Sequence, residues 1–236
     1  IERAATGKLR DSLQGEIERM LGDTKSKRFI EDFLGQWLKL RTIAATDPDR
    51  KLYPEFSSYL QDSMVAETRA YFRELLDKNL DARHLVKSDF AMLNEKLAVH
   101  YGIPGVSGPQ IRRVALPADS PRRSGFLTQA AILKITGAFV MERILGTPPD
   151  PPPPNLPAIE PDVRGATTIR EQLAKHSSDP SCARCHVKMD PPGFALESFD
   201  VIGGFRDRYR SIGEGDNAER GSIDPFIGIS FKLGPK

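Results

Sequence analysis

The chain has 236 residues and a mass of 26.2 kDa, enough for one large domain or two small ones with a sizeable core. Apolar residues make up about 45% when Gly is counted and Tyr is not, an ordinary globular proportion that argues against intrinsic disorder. With 34 Lys and Arg against 32 Asp and Glu the net charge is only +2, far from the basic surplus that phosphate contacts on nucleic acid require.

Residues 1–101 carry a helical pattern. Phe29, Ile30, Phe33, Leu34, Trp37 and Leu38 recur at helical spacing, a broad apolar stripe that packs one helix face onto a core, with Thr24 or Ser26 as its cap. After the turn-rich Thr46-Asp47-Pro48-Asp49 comes a second stripe of Leu60, Met64, Thr68, Tyr71, Phe72 and Leu75, ending near Asn79. Asp89 is expected to cap a further helix whose stripe is Phe90, Leu93, Leu97, His100 and Tyr101, which puts His100 on a buried face. His84 follows Asp81 and Arg83 in a polar patch and is expected in solvent. Trp37 and Tyr71 read as core, as do Met64, Met141 and Met189.

Residues 102–125 hold too many Gly and Pro for a helix and read as a long loop, with one short strand over 111–116. Helical pattern returns over 127–135 and 138–145. The most apolar stretch, 126–145, is interrupted by Lys134, Glu142 and Arg143, so it does not read as a membrane span. Seven prolines between 148 and 157 then favour extended polyproline II, a semi-rigid strap. This divides the chain into a helical domain over 1–146, a Pro-rich linker over 147–162 and a smaller module over 163–236.

In that module Thr168 and Glu171 form a capping box for a helix over 169–176, and Asp179-Pro180 starts the next one, with Pro at the first turn. Asp190-Pro191-Pro192-Gly193 reads as a rigid turn and 193–199 as another short helix.

The only two cysteines, Cys182 and Cys185, stand in Cys182-Ala183-Arg184-Cys185-His186. This is C-x-x-C-H, the spacing of c-type haem attachment. At this composition the pattern arises by chance on the order of once in seven thousand chains. On a helix the two thiols and the imidazole share one side, so both sulfurs reach porphyrin vinyl groups while His186 serves as the proximal iron ligand. Its other ring nitrogen needs an acceptor, for which the carbonyls of Pro191 or Pro192 are the expected source. The rival readings are a zinc site, which needs two further ligands, a thioredoxin-like pair, which wants a βαβ setting, and a coincidence of surface cysteines. His100 and, as an alternative, His176 are candidates for the sixth, distal ligand. Arg206, with Arg208 and Arg210, can pair with the haem propionates, or form a solvated charged face. Glu197 and Asp200, three apart, read as surface carboxylates.

The run from Cys182 to Arg206 resembles the cytochrome-containing proteins of unknown function abundant in planctomycetes. Residues 29–40 (Phe-Ile-Glu-Asp-Phe-Leu-Gly-Gln-Trp-Leu-Lys-Leu), residues 93–104 (Leu-Asn-Glu-Lys-Leu-Ala-Val-His-Tyr-Gly-Ile-Pro) and the polyproline strap resemble the same proteins in the same order. The resemblance implies an exported, mostly α-helical protein, a helical bundle joined by the strap to a small cytochrome-c-like haem module, as one part of a longer polypeptide. It names no substrate. Members of that family carry a polar Thr-Ser-Pro-Val-x-Arg-Gly segment between the two helices that meet here at Ile135-Thr136-Gly137-Ala138, and this chain departs from them there.

The expected function is a c-type cytochrome domain with one covalent haem c, exchanging electrons with a redox partner protein or a neighbouring domain. The alternative is a haem enzyme of peroxidase or oxygenase type with an open distal position, its pocket shaped by the 102–125 loop; a third reading is an interaction module whose haem staples the fold. Thioether attachment, as the resemblance implies, is completed outside the cytoplasm, which gives a periplasmic or other extracytoplasmic location, with any export signal removed or outside this chain.

Overall fold

The computed structural model describes residues 1–45, 47–117, 123, 125–134, 142, 146–148, 177–178, 180–195 and 198–206. Helix dominates. In chain order the described elements are α1 (Glu2–Ala5), α2 (Leu13–Gly22), α3 (Ser26–Trp37), α4 (Ser58–Asp77), β1 (Phe90–Leu93), α5 (Glu95–Tyr101), β2 (Arg112–Ala115), α6 (Ala130–Leu133) and α7 (Pro180–Ala195), with short 3-10 turns between several of them. Among the described residues no helix is long and apolar enough to cross a membrane. Most of the proline strap, the helix expected over 169–176 and the break at 135–138 lie outside the described residues. The chain divides into two compact units, one of residues 1–44 with 62–127 and one of 45–61 with 128–236.

The first unit is organised by the two stripes that the sequence predicts. Ile30 and Leu34 of α3 are buried, as are Met64, Tyr71 and Leu75 of α4, each apolar side chain adding about 1.5–3 kcal/mol. The α3 stripe is narrower than expected, because Phe29 and Phe33 stay 51% and 40% exposed. Their rings still stack on each other at 5.8 Å and start an aromatic column. Phe33 meets Trp37 at 5.4 Å and Phe72 at 5.5 Å, Trp37 lies nearly parallel to Phe126 at 5.7 Å, and Tyr71 joins Phe126 to Phe90. Ring pairs at this separation add about 0.5–1.5 kcal/mol beyond their burial.

Neither Thr24 nor Ser26 caps α3; its N-cap is Lys25, with no side-chain cap bond. Ser26 is buried, and its hydroxyl accepts from Arg73 Nη1 at 2.7 Å, so a tertiary partner has taken the side chain that the local pattern offered as a cap. Arg73 also donates to Asp77 on its own helix at 2.7 Å.

The segment from Asp89 to Tyr101 corrects the sequence reading. Phe90–Leu93 is a strand, paired antiparallel with Arg112–Ala115 in the register Phe90↔Ala115 to Leu93↔Arg112. The helix begins after it, with Asn94 as N-cap accepting from the Leu97 amide at 3.0 Å and Gly102 (φ 68) as the left-handed C-terminal residue. Phe90 and Leu93, three apart, would share one face of a helix; in the strand they point to opposite faces, and both are buried. The ladder to the expected second strand decides between helix and strand, since it satisfies backbone groups that a helix starting at Asp89 would otherwise hold. Asn94 also donates to Ser63 Oγ at 2.9 Å, which ties the start of α5 to α4.

Glu67, on α4, is buried and takes a hydrogen bond from the Tyr101 hydroxyl, whose ring carries the Arg123 guanidinium at 3.8 Å. Burial pushes its carboxyl up to about 8, against the Tyr101 hydrogen bond and the Arg123 charge, which pull it down.

In the second unit all four residues of α6 are buried, and the chain over 199–205 folds into a tight turn against it. Asp200 Oδ1 accepts from the amides of Ile202 (3.0 Å) and Gly204 (2.7 Å), while Phe199 and Phe205 bridge across the turn. Gly203 has φ +70, and a Cβ there would stand 2.6 Å from the Cβ of Ala130.

Two outcomes follow. Gly203→Ala combines a left-handed backbone with a clash against α6 and should destabilise by at least about 1–3 kcal/mol, read as a lower denaturant midpoint with an unchanged slope. For Glu67, the folded chain keeps a proton that the unfolded chain releases near the ordinary value of 4.5, so stability should fall between about pH 4.5 and 8 by up to about 1.4 kcal/mol per pH unit. Glu67→Gln should flatten that slope, as measured by urea melts across the window.

Candidate functional site

The C-x-x-C-H residues lie in α7, Pro180–Ala195. Pro180 is its first residue, where the missing N–H is one the helix would leave unbonded and the fixed φ suits the first turn. Cys182 and Cys185 are one turn apart and His186 follows at four from Cys182, so the three share one side of the helix. Both cysteines are free thiols and half-buried.

The His186 imidazole is held at 2.8 Å through Nδ1 by Asp190 Oδ1, four residues on. The two side chains are only 13% and 16% exposed, so water competes weakly for this bond. The expected turn at Asp190-Pro191-Pro192-Gly193 is absent, and so is a separate helix over 193–199: α7 runs on to Ala195, and 198–206 belongs to the turn around Asp200. The helix continues through Pro191 and Pro192 although each removes an amide donor and its ring crowds the carbonyl four residues back, an unfavourable arrangement inside a helix. The continuing helix brings the Asp190 carboxylate, rather than a turn carbonyl, to the ring nitrogen. Nothing in the bare motif marks this partner except the His186-to-Asp190 spacing of four, which becomes a signal only if the helix is taken as far as Asp190.

The other candidates are distributed differently. His100 closes α5 in the first unit, half-buried, with its ring 5.5 Å from that of Tyr101; His186 belongs to the second unit. His84 is half-buried, its ring 5.8 Å from Phe90, a correction to the expected solvent position. The Tyr71 hydroxyl donates to the His84 carbonyl at 2.7 Å and draws that segment onto the aromatic column. Met64 is core. The Arg206 amide donates to the Ser198 carbonyl at 2.8 Å, which closes the turn in the second unit. Asp200 is buried and spends its carboxylate on backbone amides, so it is not the surface group expected. His176, Arg208 and Arg210 lie outside the described residues, as do Met141 and Glu197.

The donor set fits a porphyrin bound through two thioethers: two free thiols at the right spacing, and an imidazole oriented through Nδ1 by Asp190. Among the described residues no three His, Cys, Asp or Glu side chains come together to hold a bare metal ion.

No curated protein and no solved structure matches the chain. Two family models do. Residues 1–103 match PSD4, a protein of unknown function (DUF1592), and residues 123–209, which include the motif helix, match PSCyt3, a protein of unknown function (DUF1588). On either side of residues 104–122 the chain is therefore similar to the planctomycete cytochrome-c-associated domains of unknown function.

Proposed function

We propose that this chain is an exported c-type cytochrome module. It carries one haem c through Cys182 and Cys185, with His186 as the proximal iron ligand. It exchanges electrons with a redox partner protein or a neighbouring domain of a longer polypeptide, in the periplasm or another extracytoplasmic space. The observation that carries this reading is the placement of both thiols and an anchored imidazole on one side of a single helix. The similarity of residues 123–209 to a planctomycete cytochrome-c-associated domain supports it.

The chemistry required of the chain is modest. Cys182 and Cys185 would hold the haem through two thioethers, each the addition of S–H across a vinyl double bond, an exchange that needs no oxidant. Two attachments one turn apart would hold the group to the helix, with His186 the next residue on that side. When bound, the haem supplies a one-electron iron centre whose potential is set by its axial ligands and their hydrogen bonds. His186 would supply Nε2 to that centre while Asp190 keeps the ring from turning. Arg206 is the described residue that would face a propionate as a bidentate donor.

The test is expression in a host that matures c-type cytochromes. The denatured wild-type polypeptide should be heavier by one haem, Cys185→Ala should show the absorption band of a single thioether, and the double Cys182→Ala, Cys185→Ala variant should lose covalent haem altogether. A reduced spectrum that carbon monoxide leaves unchanged means a protein donor fills the sixth position, as electron transfer wants, and His100→Ala then reports whether His100 is that donor by conversion to high spin. A high-spin spectrum that shifts with carbon monoxide would instead favour a peroxidase- or oxygenase-type enzyme. A colourless chain with no added mass overturns the proposal.

A further inference from the structure

We infer that Asp190 is the positioning residue of the iron ligand, and that its carboxylate gives the haem a low reduction potential; this rests on the reading of His186 as that ligand. The geometry is local. Side chains on a helix tilt toward its N-terminus, so Asp190 leans back over the turn that carries His186, and its Oδ1 meets Nδ1 at 2.8 Å. A carboxylate oxygen accepts, so in this bond Nδ1 is the donor, and Nε2, across the ring from it, is the atom that would ligate iron. Both partners are largely sheltered, which keeps the pair from the screening that makes exposed ion pairs nearly worthless.

A full negative charge behind the imidazole differs from a neutral carbonyl in the same place. It draws the Nδ1 proton toward itself, makes the ring a stronger donor and stabilises the oxidised iron, with its extra positive charge, more than the reduced iron. The module is thereby poised to give its electron away. The device depends on α7 continuing from His186 to Asp190, because a helix ending at His186 would leave Asp190 without its spacing of four.

The experiment measures the one-electron potential of the holoprotein, with haem content checked by mass, in wild type and Asp190→Asn. Asparagine keeps the shape and an acceptor oxygen but loses the charge. The expected result is full haem attachment with a tenfold shift of the redox equilibrium toward the reduced form, which is about 59 mV upward for one electron, and an Nδ1 proton of His186 that exchanges at least about tenfold faster by NMR. Unchanged potential and exchange in a fully loaded variant would overturn the role of Asp190 while leaving the haem reading intact. Should Asp190→Asn fail to fold, Asp190→Ser removes the same charge with less bulk and carries the same expectation. A wild-type chain that takes up no haem removes both readings together.

Discussion

The pitch of the α-helix is the constraint from which the candidate site follows. At about 100° per residue, positions three and four apart return to the same side, so one helical segment sets two sulfurs and an imidazole as neighbours without help from any distant part of the chain. The same arithmetic supplies the fourth member, Asp190 at four residues from His186. A site built within one helix needs the rest of the molecule chiefly to keep that helix formed and its sheltered side dry. The turn around Asp200 and the buried α6 belong to the same unit as the motif helix, and both are packed tightly enough that Gly203 has no room for a side chain.

The first unit solves a different problem. Its apolar stripes assemble an aromatic column from Phe33 through Trp37, Phe126 and Tyr71 to Phe90, and several polar groups that share this interior pair with one another. Asn94 reaches Ser63, Arg73 reaches Ser26, and Glu67 takes the Tyr101 hydroxyl. Such pairs add little net free energy over an apolar filling, but each buried polar group left alone would cost about 1–3 kcal/mol, so they favour one arrangement of α3, α4 and α5 over slipped alternatives. Glu67 is the most expensive of them, as the upward push on its carboxyl records.

What could be read from residues alone was whatever depends on spacing within one element. The stripes of α3 and α4, the strand near 111–116, the proline at the head of the motif helix and the thiol–thiol–imidazole set are all short-range patterns, and the structure carries each of them. Spacing also suggested Asp89 and Ser26 as helix caps, and for each the local signal had a competitor farther along the chain or in space. Phe90–Leu93 went to the strand because β2 was there to pair with it. Ser26 went to Arg73, and His84 was drawn in against Phe90.

By itself, then, the sequence determined the helical class and the spacing that makes a two-thiol, one-imidazole set available, because these follow from covalent order and a fixed helical pitch. The tertiary structure decided which of two allowed periods each ambiguous segment adopts, where the buried polar groups find partners, and that Asp190 stands behind His186. Those outcomes turn on which hydrogen-bond and packing partners arrive at a given place, and a one-dimensional pattern does not encode that arrival locally.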